Sequence, residues 1–237
     1  MLNTRHAPQY APQYALELHA VAGAALRRSI VALGLLLTIA VAAEAGPPLI
    51  CHAFDAGSAK LLPWSAGQGW NTPDTSYDVH KLTAHTLKLL SPETPVLARM
   101  ETLRRATIYA AQDKQVAEEL LTALVERTKA GGGSSVALAW FDAGYLIESY
   151  RQASHIYKWD MLSSAERAKW ALRSEPKGPD GYTFVTKAIA MTGNNPEMEF
   201  AASLMKEGPA GAEHRRRALA SAQPGSLLAR NLGRNAE

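Results

Sequence analysis

Apolar side chains recur every three or four positions along most of the chain from Thr75 onward, which is the spacing of one face of an α-helix. One such stripe follows Asp113, a residue type that caps helix N-termini with its side-chain oxygen. Its members are Val116, Leu120, Leu121, Leu124 and Val125. No stretch alternates apolar and polar residues with a period of two, and there are no β-hairpin signals. The sequence therefore predicts an all-α fold.

Start and stop signals divide this pattern into helices joined by short turns. Thr75–Asp78 has the spacing of a capping box, and Ser91-Pro92-Glu93 combines a capping serine with a proline that fits a first helical turn. A triple glycine at 131–133 is a stop signal. The predicted helices cover about 75–90, 91–111, 113–130, 135–157, 163 onward, 182–192, 195–208 and 212–222.

Three of the predicted starts, near residues 92, 135 and 181, are 43 and 46 residues apart. This spacing resembles helix-pair repeats of the TPR or HEAT type. Trp140 with Ala143-Gly144 is similar to the W-x-x-L-G part of a TPR helix, but Ala replaces Leu and the later positions do not follow. We therefore expect helical hairpins with irregular stacking, not a regular TPR array.

Gly144 falls in the middle of the longest predicted helix. Glycine at such a position costs about 1 kcal/mol relative to alanine. The sequence therefore predicts that a neighbouring helix approaches closely at this residue.

The segment before the helical region has the three parts of a secretory signal peptide. Arg27-Arg28 supplies the charge, residues 30–43 supply the apolar core, and Ala43-Glu44-Ala45 offers a cleavage site before Gly46. The apolar run is short for a bilayer-spanning helix, which needs about 20 residues. An uncleaved anchor over 29–46 is the alternative. Both interpretations place the rest of the chain outside the cytoplasm, periplasmic or extracellular.

These signals divide the chain into four parts. Residues 1–45 form the leader, and 46–74, rich in proline and glycine, form an extended arm. A single all-α domain covers 75–222, and a frayed tail covers 223–237. The chain that follows the leader is long enough to bury a core as one domain.

Charge narrows the class of partner. The leader carries three arginines and two glutamates, so the remaining chain has 22 basic and 20 acidic residues. Such a balance creates no strong field and argues against nucleic acid as a partner. The run His214–Arg217 surrounds its helix, because successive residues differ by about 100°. We therefore expect a protein or peptide partner, and membrane contact only through an uncleaved N-terminal segment.

Cys51 is the only cysteine, so the chain has no internal disulfide. Its neighbour His52 makes the pair a candidate thiol site, since a reactive thiol needs a nearby base. Adjacent residues in extended backbone point in opposite directions, however, which places His52 badly for this role. A buried, inert cysteine or an intermolecular disulfide are the alternatives.

Common catalytic and cofactor motifs do not occur in the sequence. These include H-E-x-x-H, the phosphate-binding P-loop, G-x-G-x-x-G and G-x-S-x-G. His80 and His85 are five residues apart, whereas metal ligands on a helix prefer three or four. The sequence therefore predicts no metal site and no cofactor.

Three tryptophans are candidate ligand-binding residues. Trp64 and Trp70 flank a glycine-containing loop, where an aromatic ring can stack on a sugar or a peptide, or instead fasten the arm to the domain. Trp140 lies on the apolar side of the longest predicted helix.

Together these patterns favour an exported or membrane-tethered helical protein that binds a ligand through a face or groove between helices and is not an enzyme. The first alternative is an extracytoplasmic enzyme whose site is assembled between helices. Its acidic residues could come from Glu118, Glu119, Asp142, Glu148 and Asp160. The second alternative is a dimer linked through Cys51, which gels run with and without reductant would test.

Overall fold

The computed structural model describes residues 48–66, 69–129, 134–156 and 180–234, and all regular structure in these ranges is helical. The predicted all-α class is therefore confirmed. The described helices are α1 (Leu82–Leu89), α2 (Val96–Ala110), α3 (Lys114–Arg127), α4 (Ser134–Ile156), α5 (Gly181–Thr192), α6 (Pro196–Ser203), α7 (Gly208–Ser221) and α8 (Leu227–Arg234). The leader, the triple glycine and the helix predicted after Ser163 lie outside the described residues.

Side-chain caps start three of the helices where the sequence placed them. Asp113 accepts a 2.8 Å hydrogen bond from the backbone N–H of Gln115 at the start of α3, and Asn195 accepts one of 3.0 Å from Glu197 at the start of α6. Asp180 caps α5 in the same way. These caps satisfy N–H groups that have no partner inside the helix.

Two starts lie downstream of their predicted positions. Asp78, not Thr75, is the cap of the 3₁₀ turn that leads into α1. Helix α2 begins after Pro95, whereas Ser91 was predicted. Proline disfavours helical backbone in the residue before it, so Thr94 cannot continue a helix from Ser91 into Pro95. Ser91 and Thr94 form a turn instead, with the Thr94 N–H donating to the Ser91 carbonyl at 3.1 Å.

Helix α4 runs through the centre of the domain. Residues 141–150 are buried on every side, because α2 and α3 pack on one side of α4 and α5 packs on another. Helices α6 and α7 pack against each other as consecutive neighbours. Helical-hairpin packing is thus present in this protein, while the irregular TPR- or HEAT-like stacking stays a prediction. No helix among the described residues is long and apolar enough to cross a membrane.

The arm contributes to the same core without forming helix. Leu49 and Ile50 are completely buried, and Leu62 and Phe54 are nearly so. The Leu49 N–H donates to the side-chain oxygen of Gln152 on α4 at 2.9 Å. The described part of the arm is therefore part of the folded domain from Leu49.

The sequence predicted a frayed tail from Gln223, and this prediction is wrong for residues 227–234, which form α8. The side chain of Asn231, completely buried, accepts from the Asp55 N–H at 2.8 Å and donates to the Asp55 carbonyl at 2.9 Å. The helix is too short to be stable alone. It forms because Leu228 and Leu232 join the core and Asn231 pairs with the arm.

Candidate functional site

Buried charged side chains of α2 hold the arm. Glu101, which is 1% exposed, accepts hydrogen bonds from Arg104, from Arg105 and from the backbone N–H of Phe54 at 2.7–3.0 Å. Arg104 in turn donates to the carbonyl of Ile50 at 3.2 Å and to that of Trp70 at 2.9 Å. These charged groups bind backbone of the arm, so they are occupied within the chain.

The ring of Trp64 lies over this cluster, and Trp70 meets it through its backbone carbonyl. The guanidinium groups of Arg104 and Arg105 lie 5.1 and 5.4 Å from the centre of the Trp64 ring. Tyr109 meets the same ring edge-on at 5.8 Å and donates from its hydroxyl to the Pro63 carbonyl at 2.7 Å. Both tryptophans are partly buried against the core. These contacts fasten the arm to the domain, which was one of the two roles considered for these tryptophans; ligand stacking was the other.

Cys51 and His52 are both half-buried at the start of the arm. Burial raises the pKa of the Cys51 thiol, and the charge of Arg104 opposes this more weakly. No hydrogen bond joins the Cys51 sulfur to His52 in the described part of the chain. The structure therefore places the two residues as neighbours without a thiol–imidazole contact, and a role for Cys51 stays a prediction.

A second buried ion pair lies between α2 and α4. Arg99 donates to Asp142 at 2.7 Å, and both side chains are completely buried. Arg99 also donates to the carbonyls of Thr94 and Ser91, which closes the turn before α2. Burial raises the pKa of Asp142 to about 6, against the opposing effect of Arg99 and of the more distant Arg127. Asp142 was a candidate catalytic acid, but in the structure it pairs with Arg99 and Arg127.

Trp140 is half-buried against the core, as the two arm tryptophans are, but its neighbours include exposed side chains of α5. Its ring packs against Phe184 of α5 with ring centres 4.5 Å apart, and the ammonium of Lys187 lies 3.5 Å from its centre. Met191, one helical turn beyond Lys187, is 47% exposed. Residues 184, 187 and 191 share one side of α5 because they are three and four positions apart. We call these four residues the Trp140 surface.

A carboxylate, an imidazole and a phenol form a chain at the junction of α5, α6 and α7. Glu199, 1% exposed, is hydrogen-bonded to Nδ1 of His214. The other ring nitrogen, Nε2, lies 2.8 Å from the hydroxyl of Tyr182. Arg217 approaches the second oxygen of Glu199 at 3.5 Å. The order of groups is that of an acid–base relay ending in a hydroxyl.

Two further carboxyl groups adjoin this relay. Glu148 of α4 is hydrogen-bonded to Asp180, the cap of α5. The pKa of Glu148 is raised, chiefly by burial, and the pKa of Asp180 is lowered. Burial acts against the Asp180 shift, which comes from its hydrogen bonds to Glu148 and Tyr182 and from Lys206. The two carboxyl groups therefore shift in opposite directions, and Asp180 lies 3.5 Å from the ammonium of Lys206.

The sequence did not reveal this junction. His214 was considered only as the first residue of a basic run, and that run diverges as expected: Arg216 pairs with Glu213, and Arg215 donates to the Leu232 carbonyl. Tyr182 and Glu199 are 32 and 15 residues from His214. No local motif spans such separations. A histidine at the start of an otherwise charged run was the only local signal in the sequence.

The other acidic candidate residues do not come together in the described part of the chain. Glu118 pairs with Lys114 on the exposed side of α3, and Asp160 lies outside the described residues. Among the described residues, no group of three or more His, Cys, Asp and Glu side chains could hold a metal ion.

Comparison of the chain with family models, curated proteins and solved structures finds no match. The function is therefore argued from the geometry of this chain alone.

Proposed function

We propose that this chain is an exported helical domain that binds a polypeptide partner through the Trp140 surface. The observation that carries the proposal is the grouping of Trp140, Phe184, Lys187 and Met191 on adjacent helices at the outside of the domain. Aromatic residues and methionine are enriched at protein interfaces. Met191 is one of two large apolar side chains in the described residues that are strongly exposed, the other being Leu219 on α7.

The chemistry of this surface indicates the chemistry of its partner. The half-buried rings of Trp140 and Phe184, with the exposed Met191 on the same side of α5 as Phe184, suit an apolar side chain. Lys187 is exposed and positively charged above Trp140. We therefore expect a peptide segment in which an aspartate or glutamate accompanies an aromatic or aliphatic residue. The charge contributes to specificity and the apolar contact to affinity.

Export is the second part of the proposal. Its support is the signal-like segment 27–46, together with the start of the folded arm at Leu49. Cleavage before Gly46 leaves every described contact of the arm intact. Under the alternative of an uncleaved anchor, the same domain acts at the outer side of the membrane.

Selection of random displayed peptides against the purified chain tests the binding proposal. We expect enriched peptides to combine an acidic residue with an apolar one. Lys187→Glu should weaken binding of such peptides about tenfold, which corresponds to about 1.4 kcal/mol. Met191→Ala should also weaken it. Both positions are exposed, so each substitution should lower stability by no more than about 1 kcal/mol, the loss of the Lys187–Trp140 contact included.

Leu219→Ala is the matched control, because Leu219 is 53% exposed and lies on α7. Binding by this variant should equal that of the unmodified chain. The proposal is wrong if no peptide class is enriched, or if Leu219→Ala weakens binding as much as Met191→Ala does.

The mass of the protein recovered from the extracytoplasmic fraction of its native cells tests export. A mass that begins at Gly46 supports cleavage, and a full-length mass in the membrane fraction supports the anchor. Recovery only from the cytoplasm would refute both forms of the export proposal.

A further inference from the structure

We propose that Tyr182 is a nucleophile, activated by His214 and Glu199, that takes the acyl group from carboxylic esters with acidic leaving groups such as aryl esters. The relay Glu199–His214–Tyr182 places a buried carboxylate, an imidazole and a hydroxyl in hydrogen-bonded order. This site is separate from the Trp140 surface, and the proposal does not depend on partner binding.

The hydrogen bonds assign a role to each group. In the tautomer that the proposal requires, Nδ1–H of His214 donates to the Glu199 carboxylate and Nε2 accepts the Tyr182 hydroxyl proton. A phenol is a weak nucleophile at neutral pH and needs such a base. Glu199 is a positioning residue, because it holds the imidazole in the required tautomer and stabilises the imidazolium once the proton has moved.

Two cations lie near the relay, and each is also paired with a carboxylate: Lys206 with Asp180, and Arg217 with Glu199 and Glu213. The ammonium of Lys206 lies 4.9 Å from the centre of the Tyr182 ring, and its side chain is 41% exposed. Arg217, with a side chain 45% exposed, lies on the same turn of α7 as His214. Glu199 and His214 are buried and Tyr182 is half-buried, so exposure increases from the carboxylate to the tyrosine.

The reaction balances with water as the second reactant. The Tyr182 oxygen bonds to the ester carbonyl carbon while its proton passes to Nε2 of His214. The bond from that carbon to the leaving oxygen breaks, and the leaving group takes the proton from His214. Water then attacks the acyl-tyrosine, gives a proton to His214, and the proton returns to the Tyr182 oxygen. The net change is hydrolysis of an ester to an acid and an alcohol or phenol.

The chain contains an internal control for this proposal. Tyr77 is also hydrogen-bonded to a histidine, with its hydroxyl 2.9 Å from Nδ1 of His85. Among the described residues no carboxylate pairs with the other nitrogen of His85. Burial raises the pKa of Tyr77 to about 12. Tyr77 therefore has a base but lacks the carboxylate that completes the relay.

Incubation of the full chain with p-nitrophenyl acetate, followed by peptide mapping, measures acylation at each tyrosine. We expect Tyr182 to be acylated at least about tenfold faster than Tyr77, since general-base catalysis contributes about 10²–10⁴. Tyr182→Phe should remove the modification and p-nitrophenol release above background. Tyr77→Phe should leave the acylation of Tyr182 and the release of p-nitrophenol unchanged.

Glu199→Gln and His214→Gln test the relay, with thermal melts to confirm folding. Each should slow acylation of Tyr182 by about tenfold or more, and Glu199→Asp should recover part of the rate. Equal acylation of Tyr182 and Tyr77 in the unmodified chain would overturn the proposal without any variant. A folded Glu199→Gln chain that retains the full rate would also overturn it.

Discussion

Gly144 and Gly181 face each other where α4 packs against α5. A β-carbon added to Gly144 would lie 2.6 Å from the carbonyl oxygen of Gly181 and 2.6 Å from Cβ of Phe184. A β-carbon at either glycine would force the two helices apart, because the interior is close-packed. The prediction that a neighbouring helix approaches closely at Gly144 is therefore confirmed.

Gly144→Ala should destabilise the domain. Overpacking of this kind costs about 1–3 kcal/mol, and the contact is with backbone that cannot rotate away. Chemical denaturation monitored by circular dichroism measures the loss in unfolding free energy. Gly233→Ala is the control, because an added β-carbon there meets nothing, and alanine in a helix is favoured by about 0.5–1 kcal/mol. Equal effects of the two substitutions would show that the helices are not in close contact.

Glu101→Gln should release the arm. The amide removes the charge that neutralises Arg104, a side chain only 1% exposed, and breaking a buried pair costs about 3–5 kcal/mol. Hydrogen exchange at the Phe54 amide, which donates to Glu101, should become faster. Glu118→Gln is the matched control on the exposed face of α3, where a surface pair contributes about 0–1 kcal/mol. Unchanged hydrogen exchange at the Phe54 amide would show that Glu101 does not hold the arm.

Asn231→Ala and Arg230→Ala separate two contacts of α8 with Asp55. Asn231 is completely buried and bonds to both backbone groups of Asp55, so its loss should cost about 2 kcal/mol or more. Arg230 pairs with the Asp55 carboxylate at 2.8 Å but is 47% exposed, and its loss should cost under about 1 kcal/mol. Denaturation curves of the two variants give the comparison. A larger effect at Arg230 would mean that α8 is held by its surface pair.

The raised pKa of Asp142 predicts a dependence of stability on pH. Its ordinary value of 3.8 rises to about 6 in the fold, so the folded chain holds this proton more tightly than the unfolded chain. Its contribution to stability is therefore present below about pH 4 and is lost as the pH rises to about 6, by at most about 3 kcal/mol.

Unfolding free energies of the unmodified chain and of Asp142→Asn, measured from pH 4 to pH 7, test this dependence. The value for the unmodified chain minus that for the variant should fall as the pH rises. Subtraction cancels most contributions of other acids, including those whose pKa is lowered. A difference that rises with pH would show that Arg99 outweighs burial.

Local pattern was sufficient for the fold class and for most helix boundaries. The stripe after Asp113 and the caps at Asp113 and Asn195 act through neighbours within four residues, which is why the sequence predicts them. The boundary at Ser91 failed because Pro95, another local signal, outweighed it. The C-terminal helix failed for a different reason, since α8 depends on Asp55, 176 residues away.

The sequence by itself determined that this chain is helical, that a leader-like segment precedes the domain and that Gly144 needs a close neighbour. Only the tertiary structure decided that α8 forms, that Trp140 and Phe184 share a surface, and that Glu199, His214 and Tyr182 meet. Helix caps and apolar stripes are short-range interactions encoded by spacing. Contacts between helices depend on how whole elements pack, and no spacing along one chain reports which distant side chains will touch.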